Sequence, residues 1–424
     1  MGVLLGAIAD DFTGATDLCN TLVRRGMRSV QLIGLPDTGM AVPDAEAVVI
    51  ALKSRTIPAA EAVSLSLAAL RWLREAGARQ ILFKYCSTFD STDSGNIGPV
   101  ADALLDALGS DFTIFCPAFP ENGRTIFKGY LFVGDVLLSE SGMRDHPLTP
   151  MRDPSLVRVL QRQTRNRVGL VPHAAVARGA AAIRDAFAAL RRAGVRHAVI
   201  DAIEDRDLEA IGAAAADLPL ITGGSGIALG LPENFRRQGL LGPPDGADAL
   251  PVIGGYAAVL SGSCSEATQA QVTHMINARG AHTFILNPLA LAERPDVAAE
   301  ALAWSEPLLG ERPILIASTA SPKLVARVQA ELGRERAGAL IEAAMAEIAK
   351  GLVARGVRRL VVAGGETAGA VVQALGVRGL RIGPQIDPGV PWTASLGAEP
   401  LALALKSGNF GAPDFFLRAF DVLG

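Results

Sequence analysis

Read from its residues, the chain is an α/β protein of two domains, each a mostly parallel sheet with helices on both faces. Short apolar runs alternate with amphipathic, Ala/Leu/Arg-rich segments along the whole length, the pattern of strands joined by crossover helices. Half of the 424 residues are hydrophobic yet only 5% are aromatic, which suits strands buried under helices on both sides. One glycine- and proline-rich stretch, GLLGPPDGADALPVIGG from Gly239 to Gly255, breaks the alternation and reads as a linker. A chain of this length exceeds one ordinary core. The expected organisation is a first domain over 1–235, a linker over 236–254 and a second domain over 255–424.

The elements follow in order. The opening apolar run, Val3 to Ala9, gives a buried strand centred on Leu4–Ile8. Further strands are expected at Ser29–Ile33, Ala47–Leu52, Gln80–Lys84, Phe112–Cys116, His197–Asp201 and Leu218–Thr222. Segments Ala59–Ala76 and Ala174–Ala193 carry helical periodicity between them. After the linker, strands are expected at Ala257–Leu260, Thr283–Asn287, Pro313–Ala317, Arg359–Ala363, Leu380–Ile382 and Leu401–Ala404. No internal repeat or low-complexity tract is present.

Composition narrows the function. A net charge of −3 with no basic stripe argues against nucleic acid as a partner. No apolar run is long and clean enough to span a bilayer, and the opening segment lacks the pattern of a signal peptide. Four cysteines, Cys19, Cys86, Cys116 and Cys264, lack C-x-x-C spacing, so a reduced, cytoplasmic protein is expected. The five histidines are scattered and form no ligand pattern.

Chemistry-bearing residues follow the strands. The first strand delivers Asp10 and Asp11 into ADDFTGATD, a strand-loop-helix sequence. Carboxylates there can take a proton from a hydroxyl or organise a metal, or merely cap the next helix. The third strand leads into KSRTIP with Ser54 and Arg55, and the fourth into KYCSTFDST with Lys84, Ser87, Thr88 and Asp90. The fifth leads into PAFPENGRT with Glu121, Asn122 and Arg124. Carboxyl ends of parallel strands share one rim, where open α/β sheets bind ligands. Arginine forks carboxylates, lysine adds a point charge, and Ser, Thr and Asn match sugar hydroxyls. The implied ligand is a small polyhydroxylated acid. The later LPLITGGSGIALG resembles a loose dinucleotide glycine loop but lacks the acid-ended second strand of that fingerprint. A glycine loop that lets backbone approach a ligand is the preferred reading.

The second domain lacks a Walker motif, so it is not a P-loop protein. Three other loops suit phosphate. SGSCSEATQAQ places Ser261, Gly262, Ser263 and Ser265 before a helix, where unpaired N–H groups bind anions. GGETAGAVV opens another helix with Gly364, Gly365, Glu366 and Thr367; its glycines permit close backbone approach, and Thr or Glu can help hold a metal. LKSGNFG carries Lys406, Gly408 and Asn409 and can pack against a base or ribose. Asp387 stands at another strand exit with no assigned role.

Together ADDFTGATD, SRTIP, KYCSTFDST, CPAFPENGRT, the run GYLFV through HPLTPM, TGGSGIALGL, SGSCSEATQAQ, AGGETAGAV and LKSGNFG resemble the four-carbon acid sugar kinase family, over nearly the whole chain and in order. The resemblance implies a sugar-acid-binding N-terminal domain and an ATP-binding C-terminal domain. It places ATP contacts on Ser261, Ser263, Gly364, Gly365, Glu366, Thr367 and Gly408. The loop after Lys84 resembles the branch that acts on 3-oxo-tetronate, rather than the D-threonate and D-erythronate branch. The implied reaction is ATP-dependent phosphorylation of the C4 hydroxyl, with Mg²⁺ among the phosphates and its protein ligands unassigned. Asp11 is the favoured base and Asp10 the equal candidate. Lys84 is expected to stabilise the moving phosphoryl group. Arg55 and Arg124 are expected to fork the substrate carboxylate, with Ser87, Thr88 and Asn122 beside them. A nicotinamide oxidoreductase and a non-catalytic sugar-acid-binding protein are the rival readings. No membrane partner is expected, and a homo-oligomer is left open.

Overall fold

A computed structural model describes every residue except positions 1, 38, 147, 280, 281, 295, 319–326, 329 and 424. The chain divides into two compact units, Met1–Ala247 and Asp248–Gly424.

The N-terminal unit is built on β1 (Leu5–Ala9), β2 (Ser29–Ile33), β3 (Ala47–Ala51), β4 (Gln80–Lys84), β5 (Thr113–Cys116), β9 (Arg167–Val171), β10 (Val195–Ile200) and β11 (Leu220–Gly223). Their order is β2-β3-β1-β4-β11-β5-β10-β9, with every neighbouring pair parallel. β1, β3 and β4 are buried at every residue. Successive side chains point to opposite faces, so both faces of the sheet are covered. The chain runs from β1 outward to β2, returns at β3 beside β1, and lays β4 on the other flank of β1. Such a reversal of strand order is where open α/β sheets bind ligands, outside the carboxyl ends of the strands.

A small antiparallel sheet, β6 (Arg124–Phe127), β7 (Tyr130–Val133) and β8 (Val136–Leu137), is inserted after β5. It was not expected from the sequence, nor was β9, because both are half-exposed and carry no buried apolar run. The helix expected over Ala174–Ala193 is two, His173–Val176 and Ala180–Arg192. Gly179, at φ +87°, breaks it with a left-handed backbone that residues with side chains rarely adopt.

In the C-terminal unit β13 (Thr283–Ile285), β14 (Ile314–Ala317), β12 (Tyr256–Ser261), β15 (Val357–Ala363) and β18 (Ala402–Lys406) lie side by side in that order, all parallel. β17 (Val390–Ser395) then pairs antiparallel with β18, and β16 (Gly379–Asp387) antiparallel with β17. The strand expected at Leu380–Ile382 is thus the start of a long hairpin. Its core gathers Val259, Leu315, Val361, Trp392, Phe415 and Phe416. The indole N–H of Trp392 is satisfied by the Ala419 carbonyl at 2.6 Å.

Candidate active site

In the N-terminal unit the carboxyl ends fall in the order β3, β1, β4, β11, β5 along one rim. Three of these ends meet at Arg55. Its Nε donates to Asp10 Oδ2 at 2.9 Å and its Nη2 to Asp10 Oδ1 at 2.8 Å, a bidentate fork. The same Nη2 lies 2.9 Å from Asp11 Oδ1, and Nη1 lies 3.7 Å from Asp90 Oδ2. Asn96 fixes the loop that carries Arg55, donating from Nδ2 to the carbonyls of Ser54 at 2.7 Å and Ile57 at 2.9 Å.

Asp11 is the N-cap of the helix Phe12–Arg24. Its Oδ1 accepts from Gly14 N at 3.1 Å and its Oδ2 from Thr13 Oγ1 at 3.0 Å. Gly14 is required here, since a Cβ would lie 2.2 Å from Asp11 Oδ1 and 2.8 Å from Lys84 Nζ. One helical turn further on, Asp17 Oδ2 accepts from Ser225 Oγ at 2.5 Å. Ser225 belongs to the GGSG segment after β11.

The charges divide the two neighbouring aspartates. Burial pushes the Asp10 carboxyl up, against the pull of Arg55. Burial also acts on Asp11, but the charges of Arg55 and Lys84 and the bonds from Thr13 and Gly14 hold it below the ordinary carboxylate range. Burial raises Asp17 despite the nearby Lys84 charge and the Ser225 hydroxyl. Asp11 is the more accessible of the pair, its side chain 27% exposed against 8% for Asp10. Burial pushes the Cys86 thiol up to about 11, which makes it a poor nucleophile.

In the C-terminal unit the ends of β12, β15 and β18 are adjacent and their loops interlock. Gly364 opens the helix Gly365–Ala374 at φ +122°, and that helix has no side-chain cap. Its first N–H groups are therefore left for a ligand or solvent. A Cβ at Gly262 would lie 2.1 Å from Thr367 Oγ1, and one at Gly408 2.5 Å from Ser263 Oγ. These two glycines let the three loops close on one another. Gly365 and Glu366 are exposed, and no atom lies within 4 Å of a Cβ placed at Gly365. Beneath the loops lies Lys406, fully buried, donating to Thr268 Oγ1 and to the Ser407 and Gly408 carbonyls at 3.1 Å each.

Residues 5–231 match the model of a sugar-binding N-terminal domain, and residues 258–416 that of a nucleotide-binding C-terminal domain. A 3-oxo-tetronate kinase of Cupriavidus necator is 66% identical over 423 residues, covering 99% of this chain and 97% of its own. The chain belongs to the four-carbon acid sugar kinase family. A 3-oxo-tetronate kinase of Salmonella typhimurium is 46% identical, covering 98% of both chains. A solved Haemophilus influenzae structure superposes with a TM-score of 0.87 at 45% identity, covering 99% of this chain and 100% of its own.

Within this family member the geometry amends several sequence expectations. Arg55 is closed on Asp10, so its fork is not available to a substrate carboxylate. Lys84 is 3% exposed and donates to the Tyr85 carbonyl at 3.0 Å; it lies among carboxylates rather than reaching outward. Thr88 is buried with its hydroxyl spent on Asp90. The Arg124 guanidinium turns back onto the Asn122 carbonyl, leaving its buried Nε without a partner among the described residues. Glu121 is paired with Arg24 at 2.9 Å. Among the described residues no hydrogen bond or ion pair ties Ser87, Asn122 or Arg124 to the Arg55 group, although the loops share the rim. The glycines of GGSG serve packing: a Cβ at Gly223 or Gly226 would lie 2.4 Å from the Cys116 carbonyl or 2.3 Å from the Ala118 carbonyl. Pro147, within HPLTPM, lies outside the described residues.

Sequence reasoning missed Asp17, Ser225, Asn96, Thr268 and Gln271 as parts of these sites. Each bonds to a residue distant in the chain, so no local spacing marks it. Asp387, unassigned from sequence, anchors the last loop by accepting from Ala412 N at 2.9 Å and from Arg418.

Proposed function

We propose that this protein transfers the terminal phosphoryl group of ATP to the C4 hydroxyl of 3-oxo-tetronate, giving the 4-phosphate. The observation that carries the reading is the full-length likeness to 3-oxo-tetronate kinases, which spans both domains. The N-terminal unit holds the sugar acid and the C-terminal unit the nucleotide.

Phosphoryl transfer needs positioning and charge neutralisation more than covalent chemistry. Asp11 is the base. Asp10 has both oxygens committed to Arg55, whereas Asp11 is more exposed and held ionised. The hydroxyl proton passes to Asp11 as the oxygen attacks. Arg55, Asp10 and Lys84 orient and charge that carboxylate. Arg124 and Asn122, with Ser87, are the groups of the rim for the substrate's carboxylate and hydroxyls. On the nucleotide side, Ser261, Ser263, Gly364, Gly365, Glu366, Thr367 and Gly408 line the interlocked loops. The uncapped helix start at Gly365 offers N–H donors to phosphate.

Magnesium, carried on the ATP phosphates, would neutralise charge there. No cluster of three or more His, Cys, Asp or Glu side chains suited to a metal exists among the described residues. Glu366, exposed at the helix start beside these loops, is the carboxylate that would help hold the ion.

The test is ADP release by the purified chain across 3-oxo-tetronate, D-threonate and D-erythronate, with NAD and NADP as controls. Turnover on 3-oxo-tetronate well above the other acids is expected. Preference for threonate or erythronate would reassign the acceptor, and cofactor reduction without ADP would overturn the kinase reading.

A further inference from the structure

The loop 407–412, after β18, has its carbonyl groups drawn inward. Lys406 Nζ holds those of Ser407 and Gly408 at 3.1 Å each. The Gly408 carbonyl also accepts from Ser265 Oγ at 2.6 Å and Thr268 Oγ1 at 2.8 Å. Gln271, fully buried on the helix Glu266–Arg279, reaches the carbonyls of Phe410, Gly411 and Ala412 from Nε2 at 3.0, 2.8 and 3.1 Å. Across a trans peptide, the N–H of the next residue points opposite to the carbonyl. The N–H groups of Gly408, Asn409 and Gly411 therefore point away from Lys406 and Gln271, and none donates to an acceptor among the described residues, whereas the N–H groups of Phe410 and Ala412 go to the Ser407 carbonyl and to Asp387.

Beneath this loop sits a charge without a counter-charge. Lys406 is fully buried, and its three donors go to two carbonyls and the Thr268 hydroxyl. No carboxylate among the described residues offsets its burial, which pulls its pKa down to about 8. A buried ammonium so placed is costly unless an anion approaches it.

We propose that Lys406 is a positioning residue for the nucleotide polyphosphate: it pins loop 407–412 so that the N–H groups of Gly408, Asn409 and Gly411 point away from it, free for phosphate, and supplies the positive charge that the phosphates balance. The proposal rests on the kinase reading above. It predicts a loss that grows with phosphate number, which a merely structural lysine would not produce.

The experiment is calorimetric titration of adenosine, AMP, ADP and ATP into the full chain, wild type, Lys406→Met and Thr268→Val, beside steady-state kinetics. In the wild type, affinity rises from AMP to ATP. In Lys406→Met, ATP affinity falls at least tenfold while adenosine affinity is unchanged, and KM for ATP rises with KM for the sugar acid constant. Thr268→Val keeps the side-chain shape, removes one bond to Lys406, and shows a smaller loss in the same direction. Should Lys406→Met not fold, Thr268→Val decides: an unchanged ratio of ATP to adenosine affinity overturns the proposal. Equal losses for adenosine and ATP, or unchanged ATP affinity in Lys406→Met, overturn it and leave the kinase reading standing. A wild-type chain that binds no adenine nucleotide overturns both.

Discussion

Asp11 has two tasks, capping a helix and serving as the proposed base, and a single substitution separates them. Asparagine caps helices about as well as aspartate, so Asp11→Asn keeps the fold. It removes the proton acceptor and is expected to lower kcat by roughly 10²–10⁴ with ATP affinity unchanged, as read by stopped kinetics and titration. Asp10 differs. Asp10→Ala removes the fork and leaves the largely buried Arg55 guanidinium to Asp11 and Asp90 alone; a buried charge left with no partner typically costs about 3–5 kcal/mol, an upper bound here. Denaturant unfolding should show that loss, and pairing Asp10→Leu with Arg55→Met should recover part of it. Lys406 gives a pH signature. Its folded pKa, about 8, lies below the ordinary lysine value of 10.5. Between those values the unfolded chain binds the proton and the folded one releases it, so stability rises with pH across that window. The rise should be present in the wild type and absent in Lys406→Met, measured as the difference between their unfolding free energies from pH 7 to 11.

At the level of strands and loops, most of the parallel strands were legible because each carries a short apolar run that both faces of the sheet require, whereas the half-exposed β9 was not. Gln80–Lys84 and Ser29–Ile33 match their expected bounds, and the bounds of the others move by one or two residues, apart from Leu380–Ile382, which extends to Gly379–Asp387. The hairpin β16–β17 was not legible beyond its first residues. Pro391 sits inside β17, and proline ordinarily argues against a strand. The carboxyl-end loops were legible as chemistry, since the clustering of charge and hydroxyls after each strand survives without coordinates. What those side chains do to one another was not. That Arg55 is spent on Asp10 is a fact of distance, and sequence spacing of 45 residues cannot reveal it. The glycine loops behave alike in sequence and differently in space: GGSG packs on Cys116–Ala118, whereas Gly364 sets a left-handed entry to an open helix start. Gly364→Ala would strain that backbone and crowd Thr367, whose Oγ1 lies 2.9 Å from the added Cβ. A destabilisation of about 1–3 kcal/mol is expected, with KM for ATP raised; thermal unfolding and initial-rate kinetics check the two effects.

Taken as one molecule, the chain joins a unit that matches a sugar-binding domain and a unit that matches a nucleotide-binding domain, each with its own set of carboxyl-end loops. No helix among the described residues is long and apolar enough to cross a membrane. Ligand linkage tests the division. ATP at a hundred times its Kd should stabilise the fold by about 2.7 kcal/mol if it binds only the folded chain. Asp11→Asn should keep that stabilisation, and Gly364→Ala should lose part of it at equal ATP concentration. The most direct test of the whole account is the position of the phosphate in the product, read by phosphorus and carbon NMR after reaction of ATP with 3-oxo-tetronate. Phosphate on the C4 oxygen, with one ADP formed per turnover, is the predicted result. Phosphate at another oxygen, or ADP formed by hydrolysis with no phosphorylated acid, would contradict it.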